Sequence, residues 1–178
     1  MQNRREFLKN TGLVTGLMLL PSSELFAQNI SEKTKKITIL HTNDQHSRIE
    51  PFEISTNTQT SNKGGFARRA TLVQKIRSQE NNVVLLDAGD IFQGTPYFNF
   101  FGGELEFKLM SMMQYDAATM GNHDFDNGLE GFKKQLPHAQ FDFVCSNYDF
   151  SNTILNGLTK RYKVIVKTAF ALVFLVWE

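Results

Sequence analysis

Four short runs of apolar and β-branched residues recur along this chain, and each breaks off into a cluster of polar residues. Residues 36–40 lead into His41-Thr42-Asn43-Asp44-Gln45-His46, and Val83-Val84-Leu85-Leu86 leads into Asp87-Ala88-Gly89-Asp90. Residues 115–120 lead into Gly121-Asn122-His123-Asp124, and residues 141–145 lead into Ser146-Asn147. Short runs of this kind, bounded by Gly, Asn and Asp, read as strands. Between them Phe66, Ala70, Val73 and Ile76 share one helical face after Gly64-Gly65, while Leu105, Leu109 and Met113 share another after Gly102-Gly103. Strands alternating with helices predict an α/β fold. In open sheets of that class, polar loops gather at the carboxyl ends of the strands. All four polar clusters are therefore expected on one edge. The Ser-, Thr- and Asn-rich stretch at residues 55–63 reads as a surface loop.

Composition narrows what such an edge can do. The chain has 178 residues, enough for one domain, and its 41% hydrophobic and 21% charged residues argue against disorder as a whole. With 19 basic and 18 acidic residues and a net charge of +1 it offers no cationic field for nucleic acid, which is not expected as a partner. Cys145 is the only cysteine, so an intrachain disulfide and a multi-cysteine zinc site are both excluded. A metal would have to be held through oxygen and imidazole.

The N-terminus has a character of its own. Arg4-Arg5 precedes Phe7-Leu8-Lys9, an uncharged stretch over residues 11–23, and Leu25-Phe26-Ala27. Residues 1–27 read as a signal peptide similar to the twin-arginine export type, with cleavage expected after Ala27. Export to the periplasm or cell surface follows. The apolar core at residues 13–20 falls short of the roughly 20 residues a membrane span requires, so no stable span is expected. Residues 28–36 read as a solvated linker.

Three of the clusters carry chemistry. Asp44 and His46 offer a carboxylate and an imidazole that can turn toward one ion, a donor set suited to a divalent transition metal; alone, the same pattern also fits a solvated turn. Asp90 follows Gly89 at the end of a buried strand, where an unpaired carboxylate is costly, so it either bridges cations or caps the next helix. In Gly121-Asn122-His123-Asp124-Phe125-Asp126, Asn122 can supply an uncharged oxygen ligand. Asp126 can orient His123 and keep it basic, ready to stabilise a phosphoryl oxygen or protonate a leaving group.

Taken in order, Asp44-x-His46, Gly89-Asp90-x-x-Gln93-Gly94 and Gly121-Asn122-His123-Asp124 resemble the calcineurin-like metallophosphoesterase signature. Leu40-His41-Thr42-Asn43-Asp44, Gly64-Gly65-Phe66-Ala67-Arg68-Arg69 and Phe125-Asp126 narrow the resemblance to the 5′-nucleotidase branch, over residues 36–150. The resemblance implies the N-terminal part of an αββα sandwich. It implies that Asp44 and His46 bind a first metal, that Asp90 bridges, that Asn122 binds a second, and that His123 and Asp126 form the phosphate-facing dyad. Two divalent ions, zinc, manganese or similar, would then activate water for attack on a nucleotide, giving a nucleoside and phosphate. Asn147 would support the site from outside the ligand set.

The chain departs from that pattern in its histidines and its tail. The family supplies two more second-metal ligands from Gly-His motifs further along, and none of the four histidines here, His41, His46, His123 and His138, stands in such a motif. His41 reads as structural and His138 as a surface-turn residue. Residues 37–167 are expected to form a partial domain, and the apolar tail at residues 168–178, which shows no alternation and no turn signal, reads as aberrant. One buried strand is possible for the tail, and a frameshift or premature stop is the preferred expectation. Two alternatives stand beside the nucleotidase: an inactive half domain keeping one metal site, and a phosphohydrolase acting on another phosphate ester.

Overall fold

The computed structural model describes residues 35–168 and 170–175. The expected signal peptide at residues 1–27 and nearly all of the expected linker lie outside the described residues. Four strands, β1 (Thr38–Thr42), β2 (Val83–Asp87), β3 (Ala117–Ala118) and β4 (Asp142–Phe143), form one sheet in the order β1-β2-β3-β4. Every neighbouring pair is parallel, with Thr42 opposite Asp87, Asp87 opposite Ala118 and Ala118 opposite Phe143. Parallel pairing places all four carboxyl ends on one edge, as the alternating pattern predicted.

β2 lies inside the sheet, and its unbroken aliphatic run is the mark of a strand covered on both faces. Val83, Val84 and Leu85 are all buried. β1 is an edge strand with alternating burial, and its Ile39 is 54% exposed. His41 is exposed on the same strand, where it pairs opposite Leu86 of β2. β3 is shorter than the run at 115–120 suggests. Asp116 turns its carboxylate onto the Leu85 N–H at 2.9 Å, although Asp116 and Thr119 both still donate to β2 carbonyls.

α1 (Phe66–Gln79) buries Phe66 and Val73 with Ala70 packed beside them, the predicted face. α3 (Glu104–Met112) bears out the predicted face only in part: Met113 at its end is buried and Leu109 packs against the core, but Glu106, Phe107 and Met110 are buried while Leu105 and Leu109 are only half-buried. The larger aromatic decides this rotation. Phe107 sits 4.8 Å from the Phe92 ring and 5.0 Å from Phe143, in a cluster that also holds Phe132 and Phe141. Gly103 makes the approach possible, since a Cβ there would lie 2.2 Å from Phe92. Two helices beyond those predicted, α2 (Pro96–Phe101) and α4 (Gly128–Gln135), fill out the connections. Residues 55–63 are mostly exposed turns, as expected.

The tail takes a different form from a single buried strand. β5 (Lys163–Lys167) and β6 (Phe170–Phe174) pair as an antiparallel hairpin, with Val164 opposite Val173 and Val166 opposite Ala171. Burial alternates along both strands. Lys163 and Lys167 tie the hairpin to the amino ends of β3 and β4 through the Asp116 carbonyl at 2.7 Å, Asp142 at 2.8 Å and the Asp116 carboxylate at 2.8 Å. No helix among the described residues is long and apolar enough to cross a membrane.

Candidate metal centre

The loops after β1, β2 and β3 are laced together by backbone. Asp44 and His46 donate their N–H groups to the carbonyls of Gly89 and Asp90 at 3.0 Å each, and Ser47 donates to Ile91 at 2.9 Å. The Asp90 carboxylate in turn accepts the His123 N–H at 3.0 Å, which joins the second loop to the third. Two glycines permit this closeness: a Cβ on Gly89 would lie 2.5 Å from the Gly121 nitrogen, and one on Gly121 would lie 2.2 Å from the Asp90 carboxylate. Asp90 thus supports the turn carrying His123, while α2 has Thr95 at its N-cap position.

Ligand atoms of Asp44, His46 and Asp90 all lie within 4.8 Å of one another. All three residues hold left-handed backbone, with φ of 48°, 47° and 53°. Non-glycine residues rarely adopt that region, and such strain of about 1–3 kcal/mol each collects where a site dictates geometry. Two carboxylates and an imidazole converging on one point, on backbone bent to aim them, fit a divalent ion. Asn122 lines the same small hollow of about 300 Å³, together with Asp44, Asp90 and Tyr148.

Two buried carboxylates hold these loops from beneath. Asp87, 1% exposed, accepts from the Thr42 hydroxyl at 2.5 Å, the Gln45 side-chain amide at 2.6 Å and the Gly89 N–H at 3.0 Å. It therefore grips the residue between Asp44 and His46 and the residue before Asp90. Burial pushes its carboxyl up to about 6, even though those donors draw it down. Arg69 of α1 extends the network by donating to the side-chain Oε1 of Gln45. Asp124 accepts from the N–H groups of Ile91 at 2.9 Å, Phe92 at 3.0 Å and Gly121 at 2.9 Å, and burial pushes it up to about 7. Sequence reasoning assigned neither acid this task. The available signal was an acid at the end of an unbroken buried run for Asp87, and one inside the most specific motif for Asp124.

His123 Nδ1 lies 3.0 Å from Asp126 Oδ2, and the hydrogen bond to Asp126 holds the His123 pKa above the ordinary histidine value. The His46 and His123 rings meet edge to face at 5.2 Å, which brings the dyad alongside the Asp44–His46–Asp90 group. Asn147 contacts the Cys145 sulfur at 3.4 Å, and its neighbour Tyr148, just past the fourth cluster, lines the hollow. His138 points to Glu104 at 3.8 Å and is half-buried, not a freely exposed turn residue. Among the described residues Asp44, His46 and Asp90 are the one group of three or more His, Cys, Asp or Glu placed to share an ion.

Residues 37–171 match the family model described as calcineurin-like phosphoesterase. The chain is 40% identical over 157 residues to a snake venom 5′-nucleotidase from Crotalus adamanteus, covering 84% of this chain and 27% of that protein. It is 42% identical over 137 residues to a 5′-nucleotidase from Homo sapiens, covering 73% of this chain and 24% of that one. A solved 5′-nucleotidase precursor from Thermus thermophilus superposes with a TM-score of 0.72 at 37% identity, over 77% of this chain and 27% of that one. The chain thus spans about a quarter of the length of each of these relatives. With the family model covering the sheet and the metal-type loops alike, the chain belongs to the calcineurin-like phosphoesterase family.

Proposed function

We propose that this chain carries the metal-binding and proton-transferring half of a 5′-nucleotidase-type phosphohydrolase, which splits a nucleotide into a nucleoside and phosphate. The observation that carries this reading is the convergence of Asp44, His46 and Asp90 within 4.8 Å beside the His123–Asp126 dyad. Asp44 and His46 would hold one ion, Asp90 would serve both, and the Asn122 side-chain oxygen would serve the second. Divalent ions bound there would supply Lewis acidity toward phosphoryl oxygens and lower the pKa of water. His123, its basicity raised by the hydrogen bond to Asp126, faces the phosphate and delivers a proton to the departing ester oxygen. Asp126 fixes the ring through Nδ1 and leaves Nε2 for the substrate.

A second reading has its own support. The described residues hold one such ligand group, so the chain also fits a half domain with one ion and no turnover. The full chain with added manganese or zinc, assayed for phosphate release from 5′-AMP beside His123→Ala, separates the two. Metal-dependent release lost in the variant supports the hydrolase; one ion per chain without release supports the half domain. A sugar-linked or polyphosphate ester hydrolysed in preference to 5′-AMP would move the substrate and leave the centre in place.

Export through a twin-arginine signal belongs to the same proposal, resting on Arg4-Arg5 ahead of a short apolar run and on the relative described as a precursor. Replacing both arginines by lysine should retain the precursor inside the cell. Normal export of that variant would sink the idea.

A further inference from the structure

The hollow beside the metal ligands is walled on one side by an aromatic ring that no part of the hydrolytic reading uses. Tyr148, just past β4, lines it together with Asp44, Asp90 and Asn122, and is the one aromatic residue there among the described residues. The ring is held in place from behind. It meets Phe150 edge to face at 5.9 Å and 85°, and Phe150 packs 6.3 Å from Phe125. Phe125 lies between Asp124 and Asp126, so a chain of three rings connects this wall to the turn that carries the dyad. Tyr148 is still 36% exposed, enough to present ring surface toward the hollow.

A phosphoryl group bound through divalent ions that Asp44, Asp90 and Asn122 would hold would leave its organic substituent against this wall. At about 300 Å³ the space is at the lower end for a ligand pocket, with room for a phosphate and little more than one ring. We propose that Tyr148 is a specificity-determining residue whose ring packs against a flat, ring-shaped group close to the phosphorus, favouring ring-bearing phosphate esters over linear alkyl ones. The proposal rests on the phosphate-binding reading of the metal centre and names the residue that selects among esters. An aromatic face rewards a second flat ring more than a flexible chain, because stacking adds to area burial and the rigid ring has fewer rotamers to lose.

Non-hydrolysable ligands test this whether or not the chain turns over. The full chain in excess manganese is titrated with inorganic phosphate, phenylphosphonate and n-hexylphosphonate, the last two with equal carbon counts. Phenylphosphonate should bind roughly three- to tenfold more tightly than the hexyl compound. Tyr148→Phe should keep that preference. Tyr148→Ala should abolish it while leaving inorganic phosphate binding unchanged, a pattern that general destabilisation would not produce. Equal binding of the two phosphonates by the unmodified chain, or a preference surviving in Tyr148→Ala, overturns the role given to Tyr148 alone. Absence of binding by inorganic phosphate and both phosphonates overturns the metal-centre reading and this inference with it.

Discussion

Asp87 shows how much of the centre depends on a residue that touches no ion. Its carboxylate gathers Thr42, Gln45 and the Gly89 N–H, so the first two ligand loops are fixed from below. The buried setting has a consequence for pH. A carboxyl raised from 3.8 to about 6 stays protonated in the folded chain where the unfolded chain has already released its proton. Stability from this group is therefore complete below about 4 and is lost as pH rises through about 6, a change on the order of 3 kcal/mol. Metal-free protein in EDTA should unfold at lower urea at pH 7 than at pH 5, and a constant or rising midpoint would contradict this. Glu106, wholly buried on α3 with neither carboxylate oxygen hydrogen-bonded, is also pushed up by burial. Glu106→Gln should raise the melting temperature, and the gain should widen with pH because only the wild type must ionise there. The positions of Asp44, His46, Asp90 and His123 were legible because each follows a strand end, and strand ends can be read from local pattern. The grip of Asp87 on Gln45 was not, because it spans 42 residues of sequence and depends on the register of β1 against β2.

Among the elements, the strands and their shared edge could be read from the sequence, while the rotation of α3 could not. Spacing alone favoured Leu105, Leu109 and Met113, since periodicity counts apolar positions without weighing their volumes. The fold buries Met113 as expected but centres the face on Phe107, which Phe92, Phe132, Phe141 and Phe143 surround. Phe107→Ala should then cost about 3–5 kcal/mol, read as a shift in the urea midpoint at constant slope, whereas Leu105→Ala should cost clearly less. A larger loss at Leu105 would restore the spacing-based face. The hairpin was hidden for a related reason. β6 reads as uniformly apolar, so its alternation emerges only once β5 pairs with it and one side is left facing solvent.

For the molecule as a whole, that outward side is a liability. Val164, Val166 and Val173 are 49%, 73% and 62% exposed, and their pairing puts them on one face of the hairpin. Contiguous exposed apolar surface on a strand pair promotes association. Val166→Lys should raise the concentration at which light scattering sets in while shifting stability by less than about 0.5 kcal/mol. Unchanged scattering would place the association elsewhere. At the opposite end of the sheet, everything turns on whether loops from three strands make one metal centre. Manganese titration of the full chain beside Asp90→Ala tests that most directly, because Asp90 both supplies a ligand atom and holds the His123 turn. The account predicts saturable binding by the wild type and a loss of roughly tenfold or more in affinity for Asp90→Ala, with the variant still folded. Equal affinity in both proteins would mean that Asp44, His46 and Asp90 do not act together, and the proposed centre would fall.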